Sequence, residues 1–235
     1  FRSTTTWPQW APVVARCYEH IALVDHALLT ILETLDRLGL SENTLVIYSA
    51  DHGDLLAAQG GGFDKGWLLV EETMRIPLAL RGPEVAAGAQ NGALVSNLDI
   101  VATVRDIVGA RASAPTDGQS LMPLAQNPDA SGREHLMLES HGHYGQKVIQ
   151  RMLRFRGWKY VAHLGDRDEL YDLAADPYEL KNVAEDTDLR DVRREGQSRL
   201  LQAMDESDDT APDALALRAQ IETQLGAASE DVTSA

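Results

Sequence analysis

A short apolar run that stops on a charged pair constrains this chain more than any other stretch of it. Leu45-Val46-Ile47-Tyr48 is continuously apolar and rich in β-branched and aromatic side chains, the pattern of a strand covered on both faces in a parallel sheet. Ser49 and Ala50 follow, then Asp51-His52-Gly53. Open α/β sheets bind ligands beyond the carboxyl ends of their strands, so a carboxylate and an imidazole at this point would face the crevice where chemistry is done. Successive strand residues point to opposite faces. For both side chains to enter one site the backbone must leave the strand at Asp51, and Gly53 is the residue expected to let it turn.

Around this stretch the chain reads as alternating helix and strand. From Pro12 to Leu38, residues Cys17, Ile21, Val24, Leu28, Ile31, Leu35 and Leu38 recur at steps of three and four, one face of a long amphipathic helix. Pro12 is expected in its first turn and Gly39 at its end. This helix is expected to pack on the sheet beside the Asp51 strand. Four glycines between Ala57 and Gly66 suit a loop that approaches a ligand. Trp67–Met74 reads as helix and Ile76–Leu80 as a second strand, with Arg81-Gly82-Pro83 as a turn. Ser96 with Asp99 opens another helix as a capping box, continued by Ile100, Val101, Val104, Ile107 and Val108. Residues 110–133, rich in Pro, Ser, Ala, Asp and Gly, are the expected boundary. Beyond them, runs at 135–139, 149–155 and 159–164 predict an antiparallel sheet, and 185–204 a closing helix.

Ser49-Ala50-Asp51-His52-Gly53-Asp54 after an apolar strand is followed by Phe63-Asp64-Lys65-Gly66, by Glu71-Glu72, and by Arg75-Ile76-Pro77-Leu78. Arg81-Gly82-Pro83, Ser96-Asn97-Leu98-Asp99-Ile100, Glu169-Leu170-Tyr171-Asp172-Leu173 and Asp176-Pro177-Tyr178-Glu179 come next in order. This series resembles the C-terminal half of the sulfatases of the alkaline phosphatase superfamily. The resemblance implies an α/β fold: part of an alkaline-phosphatase-like sandwich, a mostly parallel sheet with helices, then a small antiparallel-sheet subdomain. The expected divisions are 1–115, 116–205 and an acidic, weakly ordered tail at 206–235, with a possible helix near Leu215–Leu225. It further implies that Asp51 and His52 are metal ligands and that Lys65 contacts the sulfate or the leaving oxygen. A fixed ammonium there would stabilise the negative charge that develops as the ester bond breaks. The histidine many relatives carry just upstream of that lysine is replaced here by Gln59-Gly60-Gly61-Gly62.

His52 bears on the cofactor. A divalent ion is implied; calcium prefers all-oxygen shells, whereas manganese and other transition ions accept an imidazole nitrogen. The family nucleophile is a cysteine oxidised to formylglycine within Cys-x-Pro-x-Arg. Cys17 lies in Arg16-Cys17-Tyr18-Glu19-His20, lacks that context, and is expected to be a small core hydrophobe. The nucleophile is therefore expected upstream of Phe1, in a part of the protein outside this chain. His141 and His143, flanking Gly142, are candidates for substrate contact at the rim of the site.

Composition narrows the partners. A net charge of −15 argues against a nucleic-acid backbone as ligand, while a local cationic site can still hold a small anionic ester. No apolar run approaches the length of a membrane span. The single cysteine excludes an intrachain disulfide framework and leaves the compartment open. Two alternatives to a sulfatase remain on these residues: a phosphonate monoester or phosphodiester hydrolase of the same superfamily, and a non-catalytic metal- or anion-binding module.

Overall fold

The computed structural model describes residues 4–112, 114–143 and 145–233. The chain divides into two compact units: residues up to Lys65 with Glu72–Ser131, and Gly66–Glu71 with residues from Gly132 onward. The division thus falls at the C-terminal edge of the 110–133 stretch.

The first unit opens on helix α1, Trp7–Arg37. It begins five residues before the expected Pro12, because Thr6 and Gln9 form a capping box and Pro8 occupies the first turn; Pro12 lies inside the helix. Gly39, at φ 67°, ends it as expected. Strand β1, Val46–Ser49, pairs antiparallel with β2, Leu78–Arg81, in the register Val46↔Arg81 to Ser49↔Leu78. The expected mostly parallel sheet around β1 is therefore not found: this two-stranded ribbon is the first unit's sheet among the described residues. The chain leaves β1 through the short helices α2 (Ala58–Gly61) and α3 (Glu71–Met74) and returns beside it in the opposite direction. With one neighbouring strand, all four β1 residues are half-buried instead of fully covered. Helix α4, Asn97–Ile107, is capped by Ser96, with Asp99 Oδ2 accepting from Ser96 N–H at 2.8 Å. Short α5, Met122–Gln126, follows.

The apolar faces of α1 and α4 are not covered. Ile21, Val24, Ile31 and Leu38 of the α1 seam are exposed, as are Leu98, Val101, Val104 and Ile107 of α4. The buried face of α4 is instead Asp99, Ala102 and Thr103. Asp99 takes Gln119 N–H on its Oδ1 at 2.8 Å, and the Thr103 hydroxyl takes Leu121 N–H at 2.8 Å. Cys17 is half-buried, not core. Helical periodicity identifies which face is apolar; whether anything packs on it is a separate matter.

The second unit is a four-stranded antiparallel sheet in the order β3-β4-β5-β6, made of His135–Ser140, Gln150–Phe155, Trp158–His163 and Glu169–Asp172. Helices α6, Arg190–Glu206, and α7, Pro212–Thr233, complete it. Leu153, Phe155, Tyr160 and Ala162 alternate along β4 and β5 and meet Leu200, Met204, Leu217 and Ile221 of the helices. Gly196 brings α6 close: a Cβ there would stand 3.1 Å from both Phe155 Cζ and Tyr160 Cβ. The weakly ordered tail expected from 206 is corrected by α7. Its Ala214, Leu217 and Ile221 are fully buried, and burying side chains like the last two is worth roughly 1.5–3 kcal/mol each. No helix among the described residues is long and apolar enough to cross a membrane.

Candidate functional site

At the end of β1 the backbone is held from three sides. Ser49 Oγ donates to Pro77 O at 3.0 Å. Asn97, the first residue of α4, donates its amide to Ala50 O and Asp51 O at 3.3 and 3.2 Å. Gly53 N–H donates to Thr73 O at 2.8 Å. The reason for glycine at 53 differs from the one expected: its φ is not positive, but a Cβ there would lie 1.9 Å from Glu72 O. Close backbone approach, not a reversed turn, excludes a side chain. Gly53→Ala is expected to destabilise the protein by about 1–3 kcal/mol or more through this clash. An unchanged melting temperature in that variant would contradict this reading.

So held, Asp51 and His52 turn toward each other. Asp51 Oδ1 accepts from His52 N–H at 2.9 Å, and Asp51 Oδ2 lies 3.6 Å from His52 Nε2. His52 Nδ1 is 2.7 Å from Gly53 O; a carbonyl only accepts, so Nδ1 carries a proton, and in the neutral ring the lone pair lies on Nε2. The Asp51 carboxyl is held below its usual range by the His52 N–H, by the His52 ring and, more weakly, by Lys65. Lys65 is half-buried and close enough for its charge to be felt there. The loop between them is pinned by Leu55 N–H to Asp64 O at 3.1 Å and Ala57 N–H to Gly62 O at 2.9 Å.

An exposed carboxylate beside an imidazole with a free Nε2 lone pair is a fitting donor pair for a divalent ion. It is also an incomplete one: no cluster of three or more such groups occurs among the described residues, where zinc takes at least three protein ligands and calcium six or more oxygens.

His141 and His143 lie in the second unit, in a tight loop where His143 and Gln146 exchange backbone hydrogen bonds at 3.1 and 3.0 Å. His141 Nε2 lies 3.4 Å from Glu139 Oε2. The same Oε2 is 3.2 Å from Arg151, which is fully buried and forked onto Asp209 at 2.6 and 3.1 Å.

Sequence reasoning missed a buried charge cluster in that unit. Lys159 is fully buried, with Nζ 2.5 Å from Glu179 Oε1, 3.2 Å from Glu71 Oε1 and 2.8 Å from Leu69 O. Arg154 reaches Glu71 at 2.7 Å, and Glu71 N–H donates to Glu179 Oε2 at 2.6 Å. Burial pushes both carboxyls up; Lys159 and Arg154 outweigh it at Glu71, which ends below its usual range, whereas Glu179 stays above. The cluster fastens residues 69–71, a few positions after Lys65. Its signal in the sequence was Lys159 itself, alone among Trp158, Tyr160 and Val161 in a strand.

Comparison with known proteins decides the family. Residues 59–206 match the model of the N-sulphoglucosamine sulphohydrolase C-terminal family, and residues 2–110 match the sulfatase family model. The chain belongs to the sulfatase family of the alkaline phosphatase superfamily. Among curated sulfatases, it is 32% identical to choline-sulfatase of Rhizobium meliloti over 171 residues, covering 72% of this chain and 32% of that protein. It is 35% identical to arylsulfatase K of Homo sapiens over 179 residues, covering 71% and 32%. This sulfatase chain thus spans about a third of the length of those relatives. Two solved structures superpose on it with a TM-score of 0.75. One, at 25% identity, is a complex with its substrate D-glucosamine-2-N,6-O-disulfate, covering 82% of this chain and 40% of that one. The other, at 27% identity, is the phosphonate monoester hydrolase of Agrobacterium radiobacter, covering 92% and 43%. These neighbours give the sulfatase chain an alkaline-phosphatase-like fold.

Proposed function

We infer that this chain is the C-terminal part of a metal-dependent sulfatase acting on a small anionic sulfate ester. The convergence of Asp51 and His52, under the charge of Lys65, at the end of β1 carries the reading. In the complete protein Asp51 and His52 Nε2 hold part of the shell of a divalent ion, calcium or, given the imidazole, manganese or another transition ion. When bound, that ion supplies positive charge to the sulfate oxygens. Asp51, ionised well below neutral pH, keeps its ligand charge without titrating. In its neutral form His52 offers the Nε2 lone pair, Nδ1–H being committed to Gly53 O. Lys65 stabilises the leaving oxygen as the ester bond breaks, an interaction stronger in the transition state than in the bound ester. The nucleophile and the remaining ligands come from residues outside this chain, and with them the strands and helices that complete the sandwich and cover the exposed faces of α1 and α4.

A second reading, phosphonate monoester hydrolysis, is favoured by the likeness to the Agrobacterium enzyme over 92% of the chain. Turnover of matched aryl sulfate and phosphonate esters by the full-length protein, before and after chelation, separates the two. Preference for the sulfate supports the first reading; preference for the phosphonate replaces it. Within the first reading, His141→Ala and His143→Ala should change relative turnover among sulfate esters more than metal affinity. Equal losses on every ester would make both residues structural. Residues 1–235 expressed alone should bind metal weakly, turn over no ester and aggregate through the exposed faces of α1 and α4. A soluble monomer of this chain that cleaves an aryl sulfate would contradict that.

A further inference from the structure

The turn that presents Asp51 and His52 contains three peptide planes, and one side chain holds two of them. Each plane is rigid, so the direction of a side chain is set once the planes on both sides of its Cα are fixed. The Ala50 carbonyl belongs to the plane before Asp51, and the Asp51 carbonyl to the plane between Asp51 and His52. Both lie beyond Ser49↔Leu78, the last pair of the β1–β2 ladder, so the sheet does not hold them. Asn97 Nδ2 donates to both, at 3.3 and 3.2 Å, which one amide can do because it carries two hydrogens. Ser49 Oγ also lies 3.4 Å from Ala50 O, but its single proton goes to Pro77 O at 3.0 Å. The third plane, between His52 and Gly53, is held by Gly53 N–H on Thr73 O at 2.8 Å. Asn97 therefore fixes both planes at Asp51 and one of the two at His52.

The ordinary reasons for an asparagine at the start of a helix do not explain this one. Asparagine is favoured as the cap, but the cap of α4 is Ser96, whose Oγ accepts from Leu98 N–H at 3.3 Å while Asp99 takes Ser96 N–H. Asn97 is exposed and adds little packing. It reaches 47 and 46 residues back along the chain, to another element. The base from which it reaches is firm without it: Asp99 is fully buried and takes Gln119 N–H, and the Thr103 hydroxyl donates to Asp99 O at 2.6 Å and takes Leu121 N–H. Removing the Asn97 amide thus frees the turn and leaves the helix in place. A second asparagine of the same unit supplies a matched control. Asn91 Nδ2 also bridges two carbonyls, Pro128 O and Ala130 O, at 2.9 and 3.0 Å.

We propose that Asn97 is a positioning residue of the metal site, its amide holding the turn so that the Asp51 carboxylate and the His52 ring converge before an ion arrives. This role rests on the reading of Asp51 and His52 as metal ligands. Groups that orient ligands without touching the metal are worth about 10–100-fold in affinity. In chelated full-length protein, titrated with Ca²⁺ and separately with Mn²⁺, Asn97→Ala is expected to weaken binding by about tenfold for the ion that the wild type holds more tightly. Turnover of an aryl sulfate falls at limiting metal and returns at saturating metal, whereas the loss in Lys65→Ala does not. Asn91→Ala, which gives up the same pair of bonds at Pro128 and Ala130, keeps the wild-type metal affinity, and the melting temperatures of the two asparagine variants agree within about 4 °C. Wild-type affinity in Asn97→Ala, beside an Asp51→Asn protein that has lost its metal, would overturn the positioning role and leave the metal site standing. Equal losses of affinity in Asn91→Ala and Asn97→Ala, or a much larger fall in melting temperature in Asn97→Ala, would make Asn97 structural and overturn the role as well. A wild type that binds neither ion would overturn the role and the metal site together.

Discussion

Replacing Lys159 with methionine is expected to lower the melting temperature of the full-length protein by more than about 10 °C. Removing one partner of a buried ion pair costs about 3–5 kcal/mol, because the opposite charge stays behind unpaired. A domain near 100 residues loses about 4–8 °C per kcal/mol, and its whole stability is only about 5–15 kcal/mol. Here Lys159 leaves two carboxylates, Glu71 and Glu179, and the Leu69 carbonyl. Glu179→Gln should be much milder, since burial already pushes the Glu179 carboxyl up and its ionised form weakens the fold at neutral pH. The pH dependence has the opposite sign at Glu71. Its carboxyl is depressed, so its contribution is present above the usual value of 4.5 and is lost as pH falls through the folded-state value. Acidification below pH 4.5 should therefore lower the melting temperature of the wild type more than that of Glu71→Gln. A Lys159→Met protein that melts within 2 °C of the wild type would remove the cluster from the account.

That cluster also marks where sequence reasoning stopped. The strand at 46–49, its break at Asp51 and the Ser96–Asp99 capping box were legible because each is local: an apolar run, a polar stop, two side chains three residues apart. The antiparallel sheet after 133 was legible for the same reason, its first three strands being joined by short connections. The partners of Lys159 lie about ninety residues before it and twenty after it, and a lone lysine in a strand reads as solvated until those partners are known. The pairing of β1 with β2 was hidden in the same way. A continuous apolar run indicates burial on two faces but not which strands supply it, and here β2 returns antiparallel. The tail was legible only in part. A possible helix near Leu215–Leu225 could be read, but abundant Ser, Asp and Ala hid that the Ala214-Leu217-Ile221 stripe, two helical turns long, is fully buried. At the site itself the residue types were readable, whereas the Asn97 amide that clamps the Asp51 backbone and the Glu72 carbonyl that requires Gly53 belong to segments distant in sequence.

Asp51→Asn is the second change with a large expected effect. The amide keeps the shape and can still accept from His52 N–H, so folding should be little altered: the group is exposed, and the hydrogen bonds from Ser49, Asn97 and Gly53 that hold its neighbours stay in place. What is lost is the charge. Outer-sphere groups at metal sites are worth about 10–100-fold in affinity or activity, so a ligand that loses its charge should cost at least about 10²-fold in kcat/KM. His52→Ala should behave alike, because the fixed tautomer makes Nε2 the donor. Lys65→Ala should lower kcat by about 10²–10³-fold, the scale of losing one charge-stabilising group in a transition state, with metal affinity retained. This split distinguishes a leaving-group role from a ligand role.

The central claim is that the end of β1 is half of a metal site that serves sulfate-ester hydrolysis. It is tested most directly by measuring, in one preparation of the full-length protein, the bound divalent metal and the turnover of an aryl sulfate for the wild type and for Asp51→Asn. The account predicts a metal-loaded, active wild type and a folded variant that has lost most of both. A folded Asp51→Asn protein that keeps its metal and its rate would contradict it.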